Sequence, residues 1–533
     1  MGRKANIPIR LLARIEELYI TQTQQSIAQW LRETHGIEND RDGRTVRRFL
    51  RSHGIQKKPH IRLANEPELK EWICIFFFEN LLTDAQMLPM LAQKGWTLKK
   101  RTLERLRLEI GLRRRRGRRA VDIDEAINAA RQMVREEMKS GMIDGFGSGL
   151  LYTYFRNNGY SISKTLLYQV YTEMNPELVE ARRKNYQRHR GEYVVPGPNW
   201  LWSIDSYDKL KPYGIQIYAC IDAYSRYIIW IYVGISNSSA VSTFGQFINA
   251  LKAIRRGPAW IRSDKGGETT LLAQAHYELL QAHDPNLRFQ DTYIFGTSVK
   301  NQRIEAWWMQ FTKGHIFRWR KFFGFMAHTH QYDHDQIVDR IALLALYIPI
   351  LREEIASFVQ VWNNHYIRRQ KNRPNMVPGR PFVLYNIPPT GTQNYAVNLD
   401  PERMATFSAL AEEYNLDEFL PRDVYNLCTQ HLQSEGYFLV ERPPLNTLED
   451  RSNPYIRHYL SLRAMLRQHY ESGQEPQLRE LETPTGARIW FQDPDLLRYV
   501  AGDLAVDIEM DNIFEQYDNG ENGESESNDS DGE

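Results

Sequence analysis

Cysteine is nearly missing: Cys74, Cys220 and Cys428 are the only three in 533 residues, far apart and odd in number. That excludes a disulfide framework and a thiolate-built zinc site, and it suits a reducing compartment. Long apolar runs are missing too. None reaches the roughly 18 residues a membrane-spanning helix needs, and the opening MGRKANIPIR has no secretory apolar segment. A soluble intracellular protein with no membrane partner is expected. Net charge is small, +2, but it hides a gradient. Residues 1–120 carry 26 Lys/Arg against 13 Asp/Glu, whereas residues 503–533 carry 12 acids and no base. The two ends suit different partners, and the length is enough for several domains.

The stretch from Asn199 to Gln310 brings acids to the ends of regular elements. Asp205 ends a short apolar strand, Trp200 to Ile204, in WSIDSYDKL. Two β-rich runs follow, Gly214 to Ile221 and Tyr227 to Val233, separated by the turn-like segment 222–226, so three consecutive antiparallel strands are expected. Val241, Phe244, Phe247, Ile248 and Leu251 recur at helical spacing over Ala240 to Ile254. After Gly257 and Pro258 the strand Ala259 to Arg262 places Asp264 just past its end, and Glu305 opens a helix from Asn301 to Phe311. Hard oxygen donors from distant segments favour Mg²⁺ or Mn²⁺. Two such ions, roughly 3.5–4 Å apart, serve in-line phosphoryl transfer. A single acid of this kind is more often a cap for a strand or helix. Three with apolar lead-ins and turn chemistry point to a shared site. Asp208, Asp222 and Glu268 compete; Asp205 is preferred because it directly follows the strand.

The segments PNWLWSIDSYDKLKPYGIQIYACIDAYSRYIIW, IRSDKGGET and IFGTSVKNQRIEAWW resemble the integrase core of retroviral-type integrases and DDE transposases, as found in proteins of eukaryotic transposon origin. The resemblance runs from about Gly147 to Pro389 and includes WNNHYIRRQKNRPNMVPGRPFVLY. It implies an α/β ribonuclease H-like catalytic core, a mixed five-stranded sheet with flanking helices, preceded by all-α helix-turn-helix units and followed by a mainly α region. It also implies that Asp205, Asp264 and Glu305 are catalytic and hold two Mg²⁺ or Mn²⁺ ions. Retroviral integrases place a His/His/Cys/Cys zinc domain before the core. No such spacing occurs here, so the preceding region is expected to fold without zinc.

That region reads as three units of two helices and a turn. The second helices share a basic-Thr-aliphatic start: Arg44 to Gly54, Arg101 to Gly111 and Lys164 to Met174. In the first, Val46, Phe49 and Leu50 form an inward face while Arg44, Arg47, Arg48 and Arg51 point out, as a DNA-reading helix needs. Arg101 and Arg105 hold corresponding places in the second. The alternative, a solvated basic face, is about as common for one isolated unit. The third unit, poorer in bases, either reads DNA or packs on the core. The Arg-rich run 113–119 suits phosphate attraction and nuclear import. Lys300 and Arg303 flank the expected site as phosphate contacts, while Asn301 and Gln302 either cap the helix or touch DNA.

Residues 335–365 read as one or two long helices with Pro349 as the break or kink. From Gln393 to Arg498 helical spacing returns without a chemical motif, and the acidic end has a disordered composition. The expected organisation is a helix-turn-helix region over 1–120, a helical linker with the third unit over 121–195, a catalytic core over 196–330 and its closure and basic extension over 331–390. A helical C-terminal domain over 391–501 and an acidic tail over 502–533 complete it. The expected function is metal-dependent cleavage of DNA 3′ ends and strand transfer by a nuclear protein, acting on duplex DNA as at least a homodimer. The rivals are a domesticated DNA-binding protein on a silent scaffold, and a ribonuclease H-like nuclease that cuts without joining.

Overall fold

The computed structural model describes residues 7–21, 24–37, 43–53, 66–112, 123–160, 162–177, 179, 194–264, 266–296, 301–369 and 376–482. The chain forms two bodies, one of residues 1–74 and 95–114 and the other of residues 75–94 and 115–533. The Arg-rich run 113–119, Lys300 and the acidic tail lie outside the described residues.

In the first body, helices α1 (Leu12–Thr21), α2 (Gln24–His35) and α3 (Arg44–Ser52) close on Ile15, Ile27, Ala28, Leu31, Val46 and Leu50. Gly43 makes the entry to α3 possible. Its φ is 70°, and a β-carbon there would meet the Gln24 carbonyl carbon at 2.7 Å, so only glycine fits. Arg44, Arg47 and Arg48 lie on the exposed side of α3, and Arg47 Nε donates to Gln24 Oε1 at 2.9 Å. Helices α4 (Pro67–Cys74) and α6 (Lys100–Glu109) belong to the same body, whereas α5 (Asp84–Gln93), opened by a Thr83–Gln86 capping box, belongs to the other. Arg101 and Arg105 are exposed on α6, and Arg105 pairs with Glu109 one turn on.

The second body is built around a five-stranded sheet. Strands β1 (Leu201–Tyr207), β2 (Gln216–Asp222) and β3 (Ile228–Gly234) are antiparallel neighbours; β4 (Trp260–Asp264) runs parallel to β1, and β5 (Tyr293–Gly296) parallel to β4. The order is therefore β3-β2-β1-β4-β5, with β1 central. Both faces are covered, as a sheet with parallel strands requires. One face packs on α10 (Ala240–Ile254) and α11 (Thr270–Gln281) through Phe244, Phe247, Leu251 and Leu272. The other packs on α12 (Gln302–Phe311), α13 (Phe317–His328) and α14 (Ile337–Asn364). Of the one or two helices expected here the structure shows one, α14, which Pro349 does not break. Proline costs a helix interior about 3 kcal/mol or more, and the near-complete burial of α14 on both sides of it offsets that loss.

Two regions that flank the expected core in sequence are packed onto it. Helices α8 (Ser148–Asn157) and α9 (Lys164–Met174), the third helix-turn-helix-like unit, follow α7 (Ile123–Met138) and bury Leu151, Phe155, Leu167 and Val170 in the cluster that contains α14. Of the two alternatives for this unit, packing on the core is the one observed. After α15 (Pro381–Asn386) and α16 (Pro401–Ala411), helices α17 (Arg422–Ser434) and α19 (Ile456–Ser472), joined through the short α18 (Leu448–Ser452), add Val424, Leu432, Tyr459, Leu462 and Leu466 to that cluster. The fully buried Asp339 of α14 accepts from Arg463 Nε and Nη2 at 2.6 and 2.8 Å.

Candidate catalytic site

The centre of the sheet fixes two of the three expected acids. β1 and β4 pair as Leu201–Trp260, Trp202–Ile261 and Ser203–Arg262. Two residues past the last pair, on each strand, stand Asp205 and Asp264. Asp205 thus lies within β1, two residues before its end, and Asp264 is the last residue of β4, so both stand inside strands that the sequence reading ended at Ile204 and Arg262. Glu305 lies in the first turn of α12. The start of that helix is tied to β1, because the buried Asn301 donates its Nδ2 to the carbonyl of Ile204 at 3.0 Å. This bond is neither of the two roles left open for Asn301: the residue stands at the N-cap position of α12 but makes no side-chain cap hydrogen bond.

Asp205 feels the other two acids. Burial, then the charges of Asp264 and Glu305, push the Asp205 carboxyl up to about 8, against the pull of hydrogen bonds from Trp308 and the Ser206 amide. Trp308 Nε1 donates to Asp205 Oδ2 at 2.9 Å, and the Ser206 N–H donates to Oδ1 at 2.9 Å. Burial also raises Asp264, with the Arg262 guanidinium acting the other way. Among the described residues, no three His, Cys, Asp or Glu side chains stand close enough to hold one metal ion together. The donor set still suits a hard cation. Asp264 Oδ1 is buried without a hydrogen-bond partner among the described residues, and mutually repelling carboxylates at one sheet end are relieved by positive charge.

The competing acids are placed elsewhere or do other work. Asp222, fully buried at the end of β2, accepts from the Asn199 amide and from the amide and hydroxyl of Ser225, so it closes the β2–β3 turn. Asp208 is exposed, bonded by Asn237 and paired with Lys211. Glu268, in a short 3₁₀ turn, is half-buried and raised by burial, and then by Asp208 and Asp264. It is therefore a fourth acid at the edge of the site.

Sequence reasoning missed Trp308 as a partner of Asp205. Trp308 is buried, its ring tilted against Tyr207 with centroids 4.9 Å apart; its indole N–H carries a second role. The signal was its place three residues after Glu305, on a neighbouring face of the same helix. Arg303 is half-buried on α12.

Residues 192–383 match the family model of the integrase core domain. This segment is an integrase core. The integrase core accounts for the central sheet, its parallel and antiparallel strands and the helices against both faces, the ribonuclease H-like arrangement. It places the segment in the polynucleotidyl transferase superfamily, whose cores use divalent metals and bind nucleic acid. No curated protein matches the chain. Among the described residues no helix is long and apolar enough to cross a membrane.

Proposed function

We propose that this chain is a DDE-type integrase or transposase that cuts DNA 3′ ends and joins them to target DNA, working in the nucleus as at least a dimer. The observation that carries the reading is the coupling of Asp205 to Asp264 and Glu305 at one end of the integrase-core sheet. In this reading the three carboxylates hold two Mg²⁺ or Mn²⁺ ions. Such ions, when bound, activate the attacking hydroxyl and stabilise the departing oxygen of an in-line phosphoryl transfer. Trp308 and the Ser206 amide orient Asp205, and the Arg262 guanidinium favours an ionised Asp264. Lys300 and Arg303 steady the scissile strand, and Arg44, Arg47, Arg48, Arg101 and Arg105 hold duplex DNA by its phosphates and base edges. Cutting and joining then use one site twice, with water and then a 3′ hydroxyl as nucleophile.

A second reading, a DNA-binding protein on a silent scaffold, is favoured by the spread of the acids among the described residues. The two are separated by incubating the purified chain with Mg²⁺ or Mn²⁺ and a labelled duplex carrying the terminal sequences that flank its gene, beside Glu305→Gln. Cleaved and joined products that vanish in the variant support the integrase. Binding to verified ends without metal-dependent product leaves the silent scaffold, and cleavage without joining leaves a nuclease.

A further inference from the structure

Helix α12, which carries Glu305, does not stop at Phe311. Phe311, Thr312, Ile316 and Phe317 all have right-handed helical backbone angles, so α12, a π-turn over Thr312–Ile316 and α13 form one helical rod from Gln302 to His328. A π-turn takes extra residues into one turn. That realigns positions spaced by four, which would otherwise wind off one face of a helix with 3.6 residues per turn. Met309, Lys313, Phe317, Arg320, Lys321, Phe325 and His328 are all exposed along this rod. No acid occurs between Ala306 and His328.

The make-up of this face is unusual for a solvated one. Phe317 and Phe325 are 54% and 45% exposed, when phenylalanine is normally an interior residue. Lys321 sits over the Phe317 ring at 5.3 Å from its centroid, and among the described residues neither Lys321 nor Arg320 is held in an ion pair. Arg318, by contrast, is turned inward onto Glu354 and the Ser140 carbonyl. The face also lies beside the acids. The charge of Arg320 is felt at the hydroxyls of Tyr207 and Tyr213. Tyr207 bonds Thr312 at 2.7 Å and its ring lies tilted against Trp308, the tryptophan that holds Asp205.

We infer that the exposed stripe Lys313, Phe317, Arg320, Lys321 and Phe325 is a track for an unpaired DNA strand leading away from the catalytic acids. Cations spaced along a helix neutralise successive phosphates, and exposed aromatic rings between them stack bases that no longer have a partner. Duplex DNA hides its base faces and would leave both phenylalanines unused. At 1.5 Å per residue, Phe317 and Phe325 stand roughly 18 and 30 Å along the rod from Glu305, a span that suits the single-strand arm of a frayed or cut end. The inference rests on the DNA-processing reading above.

The test is fluorescence anisotropy of the full chain, with Ca²⁺ as the metal, on a blunt duplex and on a duplex of the same sequence with one end splayed by about ten unpaired nucleotides. The wild type is expected to bind the splayed end about tenfold more tightly. Phe317→Ala with Phe325→Ala should remove that preference and leave blunt-duplex binding unchanged, and Phe→Leu at both positions should do the same while keeping apolar bulk. Arg320→Glu with Lys321→Glu should flatten the salt dependence on the splayed DNA by about 1.4 in log-log slope, at roughly 0.7 per phosphate neutralised. Equal wild-type binding to both DNAs, or a preference that survives the phenylalanine variants, overturns the track and leaves the DNA-processing reading standing. Binding to neither DNA overturns both. Sedimentation of the same variants gives the remaining outcome: loss of a dimer with the splayed-end preference intact assigns the face to a second copy of the chain and overturns the inference.

Discussion

Removing Arg463 is expected to destabilise the whole second body. Asp339 on α14 is fully buried and accepts three hydrogen bonds, two from Arg463 and one from the Asp333 amide at 2.9 Å. Arg463→Met keeps the apolar stem and takes away the guanidinium, leaving a buried carboxylate with one donor. Breaking a buried pair from one side costs about 3–5 kcal/mol, whereas replacing both partners by apolar groups is often neutral or better. Arg467 does not take over, since its Nη2 stands 4.0 Å from Asp339 and its side chain is half-exposed. At roughly 2–4 °C per kcal/mol for a large domain, the melting temperature should fall by about 6–20 °C. Asp339→Leu with Arg463→Met should recover most of that. The assay is thermal unfolding of wild type, both single variants and the double variant, followed by circular dichroism and by the tryptophan fluorescence of the core. A loss below about 1 kcal/mol in Arg463→Met, or no recovery in the double variant, refutes the reasoning.

Trp308→Phe keeps the stacked ring and loses the donor to Asp205. A hydrogen bond to a charged group contributes about 1.5–3 kcal/mol, so strand cleavage should slow roughly 10- to 100-fold with little change in melting temperature; a full-rate variant would show the bond to be idle. Asp222, raised by burial to about 6 from 3.8, binds its proton more tightly folded than unfolded. Its stabilising contribution is full below about pH 4 and falls by about 3 kcal/mol as pH rises through 6. The stability difference between wild type and Asp222→Asn, measured by urea unfolding, should shrink by that amount from pH 4 to 7, and a flat difference would exclude it. Arg44→Ala with Arg48→Ala should weaken duplex binding across sequences and flatten its salt slope by about 0.9 for each phosphate that is no longer neutralised, which binding titrations at several salt concentrations would read.

Much of the sheet was legible because its signals are local. Alternating Ile, Tyr and Val run to the ends of β2 and β3, and the apolar spacing of α10 marks Ala240–Ile254 without error. The strand positions of Asp205 and Asp264 were legible for the same reason, each following an apolar run. What sequence could not supply is which side chains meet across a hundred residues. The bond from Trp308 to Asp205 and that from Asn301 to Ile204 span 103 and 97 positions. Pro349 carries a local instruction to break that tertiary burial overrides. The third helix-turn-helix-like unit has the pattern of a DNA reader, yet Tyr171 gives its hydroxyl to the carbonyls of Ile143 and Asp144, and Phe146 packs on Phe358 of α14. The C-terminal helices carry ordinary amphipathic spacing, which does not say that their apolar side belongs to the same core.

Asp205 and Asp264 ride neighbouring parallel strands, so the distance between their backbones is the inter-strand spacing of any sheet, roughly 4.8 Å, and a side-chain substitution nearby does little to change it. Glu305 comes from another element, whose start is bonded to β1 by a single asparagine amide. Substitution acts unequally on such a layout. A substitution at Asn301 or in the first turn of α12 displaces Glu305 without disturbing any strand pairing. Under the proposed function, Asn301 and Glu305 are therefore the positions where the site is most easily undone, and the two aspartates on the sheet the positions where it is most firmly held.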